Sequence, residues 1–151
     1  MALMDIIKAR HSIRKYTNQQ INRKDLKKIL EAGNYVSKEQ PSTIDDITIK
    51  NGFYDAPTVI CVFCQENFLF KTADAFCIME NMILQATELG IASCIISRGH
   101  ETFHSEEGRR FMREWQVPQG YVCEGFVILG YINGEQPHRK PRKQGRIKIV
   151  E

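Results

Sequence analysis

No apolar run in this chain approaches the roughly 20 residues that a membrane-spanning helix requires. The longest, at residues 58–64 and 126–131, have the length of buried strands. Residues Asp5, Lys8 and Arg10 interrupt any hydrophobic core that an N-terminal secretory signal would need. Gly-rich phosphate loops are absent, as are a GxGxxG fingerprint, a Ser/His/Asp pattern, internal repeats and low-complexity tracts. Cysteine is sparse and odd in number, five in all and set among apolar neighbours. That usage fits a reducing, cytoplasmic compartment better than a disulfide framework. Charge of one sign is also lacking: the formal net charge is +3, too mild for a nucleic-acid footprint. What positive excess there is gathers at residues 8–15 and 139–148.

The 151 residues, 42% hydrophobic and 26% charged, are those of one soluble globular domain spanning 1–151. Leu3, Ile6, Ile7 and Arg10 follow the i, i+3, i+4, i+7 spacing of a helix face, so an apolar stripe ends where a cationic cluster begins. The cluster is Arg10-His11-Ser12-Ile13-Arg14-Lys15-Tyr16. Two guanidinium forks, a small hydroxyl and an added ammonium suit a phosphate group. If the chain is extended from Ser12 on, Ser12 and Arg14 share one face, and Ile13 and Lys15 the other. The same residues also suit a solvated surface, or cations placed favourably at a helix C-terminus.

A second helix is predicted over residues 22–35, with Asn22 as its N-cap, Asp25 in its first turn and Leu26, Ile29 and Leu30 on one face. Residues 34–56 are polar, with only 44–49 alternating weakly as a short strand would. Residues 58–64 are apolar on both faces and predict a buried central strand. Cys61 and Cys64 within it point to opposite faces, so they share neither metal nor disulfide and belong to the core. The longest helix is predicted from residue 72 or 73 to 89, with Phe76, Met79, Ile83 and Ala86 as its stripe, widened by Cys77, Met82 and Leu89. Gly90 closes it. A strand follows to Ile96. His100 and His104 have helical metal spacing but nothing to complete a site. Ser105 caps a helix through Trp115, residues 121–131 form a third strong strand, and Ile147 and Ile149 alternate with Arg146 and Lys148 like an edge strand.

Arg10-His11-Ser12-x-Arg14-x-Tyr16 after an amphipathic helix resembles the opening of the nitroreductase family. Three later landmarks agree in order: Ala56-Pro57 before an apolar strand; Asp74, Ala86, Leu89, Gly90, Ser93 and Cys94 across the long helix and its exit; and Val117-Pro118, Leu129-Gly130-Tyr131 and the basic tail from Pro137 to Arg142. At Val36-Ser37-Lys38-Glu39-Gln40-Pro41-Ser42 the chain departs from the family's flavin-contacting motif, with no Trp and no Asn at the motif spacing.

The resemblance implies an α+β nitroreductase-like fold: a central mixed, mostly antiparallel sheet flanked by helices, with the C-terminal strand exchanged in a homodimer that holds FMN at its interface. It implies an FMN-dependent oxidoreductase passing electrons from NADH or NADPH to a nitroaromatic, quinone or similar small acceptor. Arg10, Ser12 and Arg14, with His11 at a common position of the motif, would hold the FMN phosphate. Ser93 and Cys94 would lie beside the ring, Ser93 as a backbone donor, and Arg139, Lys140 or Arg142, preferentially Arg142, would complete the phosphate site. No side chain is assigned as a catalytic acid or base, no metal is expected, and neither nucleic acid nor membrane is an expected partner. Because the ring-contact motif is altered, a flavin-binding or merely dimeric member without turnover is the alternative.

Overall fold

Residues 58–64 and 121–130 carry enough apolar side chains on alternating positions to be covered from both sides, and the architecture follows from covering them. The computed structural model describes residues 1–34, 43–45 and 52–150. Among these, four strands, β1 (Thr43–Asp45), β2 (Thr58–Gln65), β3 (Ala92–Ile96) and β4 (Tyr121–Gly130), form one sheet in the order β1-β2-β4-β3. All three pairings are antiparallel. The helices are α1 (Leu3–Ala9), α2 (Arg23–Asn34), α3 (Lys71–Glu88), α4 (Gly99–Phe103) and α5 (Glu106–Glu114).

The strand period of two divides the core. Ile60, Val62, Cys64, Val127 and Leu129 face α2 and α3, where they pack with Ile29, Ile78, Met79, Met82, Ile83 and Ala86. Val59, Cys61, Phe63, Phe126 and Ile128 face the other way, toward Ile13, Tyr16, Phe53 and Phe103. Cys61 and Cys64 therefore lie on opposite faces, both buried, as expected. Each large side chain so enclosed contributes about 1.5–3 kcal/mol. The β2–β4 ladder shifts between Val62 and Phe63, so that Gly125 and Cys123 pair across it and Glu124 bulges out. Glu124 accepts a 2.8 Å hydrogen bond from Thr72 Oγ1, tying the bulge to the first turn of α3.

Local signals explain the helix ends. Asn22 Oδ1 accepts from the Asp25 backbone N–H at 2.8 Å, and Ser105 Oγ from that of Gly108 at 3.0 Å, two N-caps placed as the sequence predicts. At the end of α3, Gly90 adopts φ +72°, while Gly90 N donates to Thr87 O and Ile91 N to Ala86 O. That is a Schellman closure, which needs the left-handed conformation glycine tolerates. Inside α2, a Cβ on Gly33 would stand 3.0 Å from Met82 Cγ and 3.2 Å from Ile78 Cγ2. The absent side chain at Gly33 thus lets α2 come close to α3.

Several expectations need correction. In α1 only Ile6 is buried, whereas Leu3 and Ile7 are 65% and 44% exposed, because this short helix packs mainly against α3. The buried stripe of α3 runs through Ala75, Ile78, Met79, Met82, Ile83 and Ala86. Phe76 is 39% exposed and Cys77 is exposed too, one step off that line. The short α4 was not foreseen. Ile147 and Ile149 are 88% and 82% exposed and pair with no strand of this same chain. The predicted end of α2 at residue 35, most of the weak strand at 44–49 and the altered motif at 36–42 lie outside the described residues.

Candidate functional site

The amphipathic pattern of residues 3–10 ends in a basic residue, and the backbone changes course there. Arg10 caps α1 with extended backbone, φ −60° and ψ 130°, while its N–H still donates to Ile6 O at 3.0 Å. From that point the chain is spliced onto the sheet. Ser12 forms a parallel bridge with Ser93, and Ile13 N donates to Ser93 O at 2.9 Å. Further on, Tyr16 bridges Ile132, Thr17 N donates to Tyr131 O at 2.8 Å, and Asn133 N to Lys15 O at 3.0 Å. Ile13 and Tyr16 are the anchors, 5% and 7% exposed, and the Tyr16 hydroxyl donates to Ile13 O at 2.6 Å. Burial pushes the Tyr16 phenol far above its ordinary range, with the neighbouring Cys94 adding to the rise and Arg14 opposing it.

Ala9, His11 and Ile13 line a cavity of about 210 Å³ together with Thr87, Gly90, Ser93, Tyr131 and Gln136. Arg10 reaches elsewhere, with Nε 3.9 Å from Glu80 Oε1 on α3 and 28% of its side chain exposed. Arg14 is exposed, its guanidinium 5.9 Å from the centre of the Tyr54 ring, in cation–π range. Lys15 is exposed and does not share the burial of Ile13. The two arginines thus contact different elements, Arg10 the long helix and Arg14 the turn before β2.

Of the other predicted residues, Ser93 is 3% exposed on β3, beside Ser12 and the cavity. Cys94 is 2% exposed and its side chain lies in the packing layer of Ile13 and Tyr16, under the segment. Arg139 comes back to the cluster, Nε donating to His11 Nε2 at 3.3 Å. Arg142 is exposed and makes no hydrogen bond or ion pair among the described residues. The side chain of His100 lies outside what is described, and no cluster of metal-binding side chains occurs among the described residues.

Two participants carried no signal in the sequence. Glu80 is an ordinary exposed position of a helix, and nothing in its spacing connects it with Arg10. Tyr54 stands in a polar stretch, where it and Asp55 both adopt left-handed backbone, φ +53° and +56°. Such conformations are uncommon for residues with a Cβ and cost on the order of 1 kcal/mol or more. Here they present the 45% exposed Tyr54 ring to Arg14.

Chemically, the segment carries the guanidinium groups of Arg10 and Arg14 and the Ser12 hydroxyl, with Arg139 reaching it through His11; Arg10 and Arg14 rest on different elements, and none of the three arginines lines the cavity. The Arg10–Glu80 pair is long and half exposed, worth at most about 1 kcal/mol, so a doubly charged anion can compete for Arg10. No helix among the described residues is long and apolar enough to cross a membrane.

A family model described as "Putative TM nitroreductase" matches residues 2–144. Among solved structures, a nitroreductase with bound FMN from Bacteroides fragilis is 30% identical, with 100% of both chains covered and a TM-score of 0.90. A nitroreductase with bound FMN from Desulfitobacterium hafniense is 22% identical over 99% of this chain and 98% of that one, at TM-score 0.86. An FMN-dependent nitroreductase from Clostridium difficile is 18% identical over 98% and 99%, at 0.84. The last two show a shared fold. No curated protein matches the chain.

Proposed function

Because this chain belongs to the nitroreductase family, matched over residues 2–144, we propose that it is a cytoplasmic FMN-dependent oxidoreductase that takes electrons from NADH or NADPH and passes them to a nitroaromatic, quinone or similar small acceptor. The observation that supports the reading is the spliced segment 10–14, which sets Ser12 on the edge of β3 between Arg10 and Arg14, with Arg139 returned to the segment through His11. That donor set fits the dianionic tail of a mononucleotide, whose oxygens accept from guanidinium forks and hydroxyls. Arg10, Ser12, Arg14 and Arg139 would hold the phosphate, while the backbone around Ser93 borders the ring.

FMN, when bound, supplies two-electron chemistry, and the protein supplies position and field. This chain's residues bind and orient. Ile13 and Tyr16 fix the segment, the Schellman turn at Gly90 sets where β3 begins, and the Tyr16 phenol stays un-ionised, so it contributes no charge beside the site. Uncovered apolar side chains support a homodimer with FMN at its interface. Leu3 and Met4 on α1 are 65% and 57% exposed, and the extended tail carries Ile147, Ile149 and Val150.

The test is reconstitution. Purified protein incubated with FMN and desalted should retain the yellow oxidised-flavin bands, lose them on anaerobic addition of NADH or NADPH, and regain them with a quinone. Light scattering should give twice the chain mass. A colourless product refutes the cofactor reading, and a yellow one that neither reductant bleaches favours the flavin-binding member without turnover.

A further inference from the structure

The geometry points to His11 as a positioning residue that holds Arg139 at the anion-binding segment. The inference rests on the FMN reading above but concerns a side chain acting through another, not one touching the phosphate. His11 is engaged at both ring nitrogens. Nδ1 lies 2.8 Å from Ala9 O, and Nε2 lies 3.3 Å from Nε of Arg139, 128 positions along the chain. A carbonyl oxygen only accepts and a guanidinium only donates, so the imidazole must carry its proton on Nδ1 and present the Nε2 lone pair to Arg139. That is one tautomer of the neutral ring, selected by its two partners.

The consequence concerns the tail. Residues 134–150 make no other hydrogen bond to the rest of the chain among the described residues. Arg142, three residues further on, is unengaged. Because His11 occupies Nε of Arg139, the two terminal amino groups of that guanidinium remain available as a fork, the geometry suited to two oxygens of one phosphate. His11 therefore engages Arg139 through its inner nitrogen and leaves the outer pair for the ligand. Arg139, rather than Arg142, becomes the tail residue of the site.

The test uses the full chain and FMN itself. Dissociation constants from flavin-fluorescence quenching are measured for the unsubstituted protein, H11A, H11Q, R139A and the H11A/R139A double variant. Loss of one charge-assisted contact at an exposed site corresponds to roughly a 3- to 10-fold weakening. H11A and R139A should each show it, and the double variant should be no weaker than R139A alone. H11Q, whose amide oxygen can accept from Arg139, should lie within about twofold of the unsubstituted protein. Additive losses, an H11A protein with full affinity, or no rescue by glutamine overturns the inference while leaving the cofactor reading intact. A second measurement is independent of flavin: imidazole ¹⁵N shifts of the FMN-free protein should report Nδ1–H for His11, with the R139A spectrum altered at that ring. Should the protein bind no FMN at all, the cofactor reading fails by itself and these shifts still decide. An Nε2–H ring overturns the inference, and an Nδ1–H ring that responds to R139A upholds it.

Discussion

Replacing Tyr16 by Phe tests whether the anion-binding segment is held as described. The substitution removes one oxygen, keeps the ring in its place among Ile13, Phe53 and Ile128, and deletes the 2.6 Å hydrogen bond to the Ile13 carbonyl. Both residues are nearly fully buried, so water cannot readily take over. A buried carbonyl that loses its donor costs about 1–2 kcal/mol, and for a chain of this length that lowers the melting temperature by about 3–6 °C. The Ile13 N–H bond to Ser93 O survives, so the segment should loosen without detaching, and FMN should bind a few-fold more weakly. Urea unfolding with flavin titration measures both quantities. There is a pH signature as well: burial raises the phenol's folded-state pKa far above its unfolded value near 10. Above about pH 10 the unfolded chain therefore releases this proton while the folded chain keeps it, and stability falls as pH rises. Y16F should lose that component of the alkaline decline. An unfolding midpoint and flavin affinity equal to those of the unsubstituted protein would refute the anchoring role.

Gly130→Ala should be more damaging than its size suggests, because a Cβ there would stand 2.7 Å from Pro57 Cδ and 2.8 Å from Tyr16 Cδ1. Overpacking of this kind costs about 1–3 kcal/mol, read as a lowered urea midpoint. Arg10→Ala should weaken FMN binding about tenfold or more while changing the melting temperature little, since its long half-exposed pair with Glu80 contributes at most about 1 kcal/mol; flavin titration and calorimetry separate the two. Aromatic disulfide reagents should modify Cys77 in the folded protein and leave Cys61, Cys64, Cys94 and Cys123 untouched until unfolding. Burial raises the Cys64 thiol to about 11 and the Cys123 thiol to about 12. From the unfolded value near 8.5 upward, stability should accordingly fall with pH through those values, and Cys123→Ser should flatten the curve.

Much of the fold was legible because its main elements are periodic. Residues 58–64 read as a two-faced buried strand since both packing layers need apolar partners from it, and the helix ending in Leu89-Gly90 declared its own stop through the residue its closure requires. Phe76 misled because an aromatic at helical spacing looks like core whichever way the helix is rotated. Only the neighbouring sheet decides that Ala75 and Ile78 face inward instead.

The site itself was legible as a set of residue types and illegible as a geometry. Arg10, Ser12 and Arg14 could be singled out by chemistry, but their partners Glu80 and Tyr54 stand 70 and 40 positions away, at places whose local patterns carry no charge or ring complementarity. What joins the two basic bunches is backbone. Lys15, Tyr16 and Thr17 pair with Tyr131, Ile132 and Asn133, so the stretch after β4 leaves the sheet beside the very segment that carries the cluster. Six residues later the tail is still within reach of it, and Arg139 meets His11. The meeting of like-charged segments costs little here, because the imidazole accepts as a neutral group and Glu80 offsets Arg10 across the segment. An anion that inserts among these guanidinium groups would then replace weak exposed contacts with charge-assisted ones, and the sheet edge would have supplied the alignment before the ligand arrived.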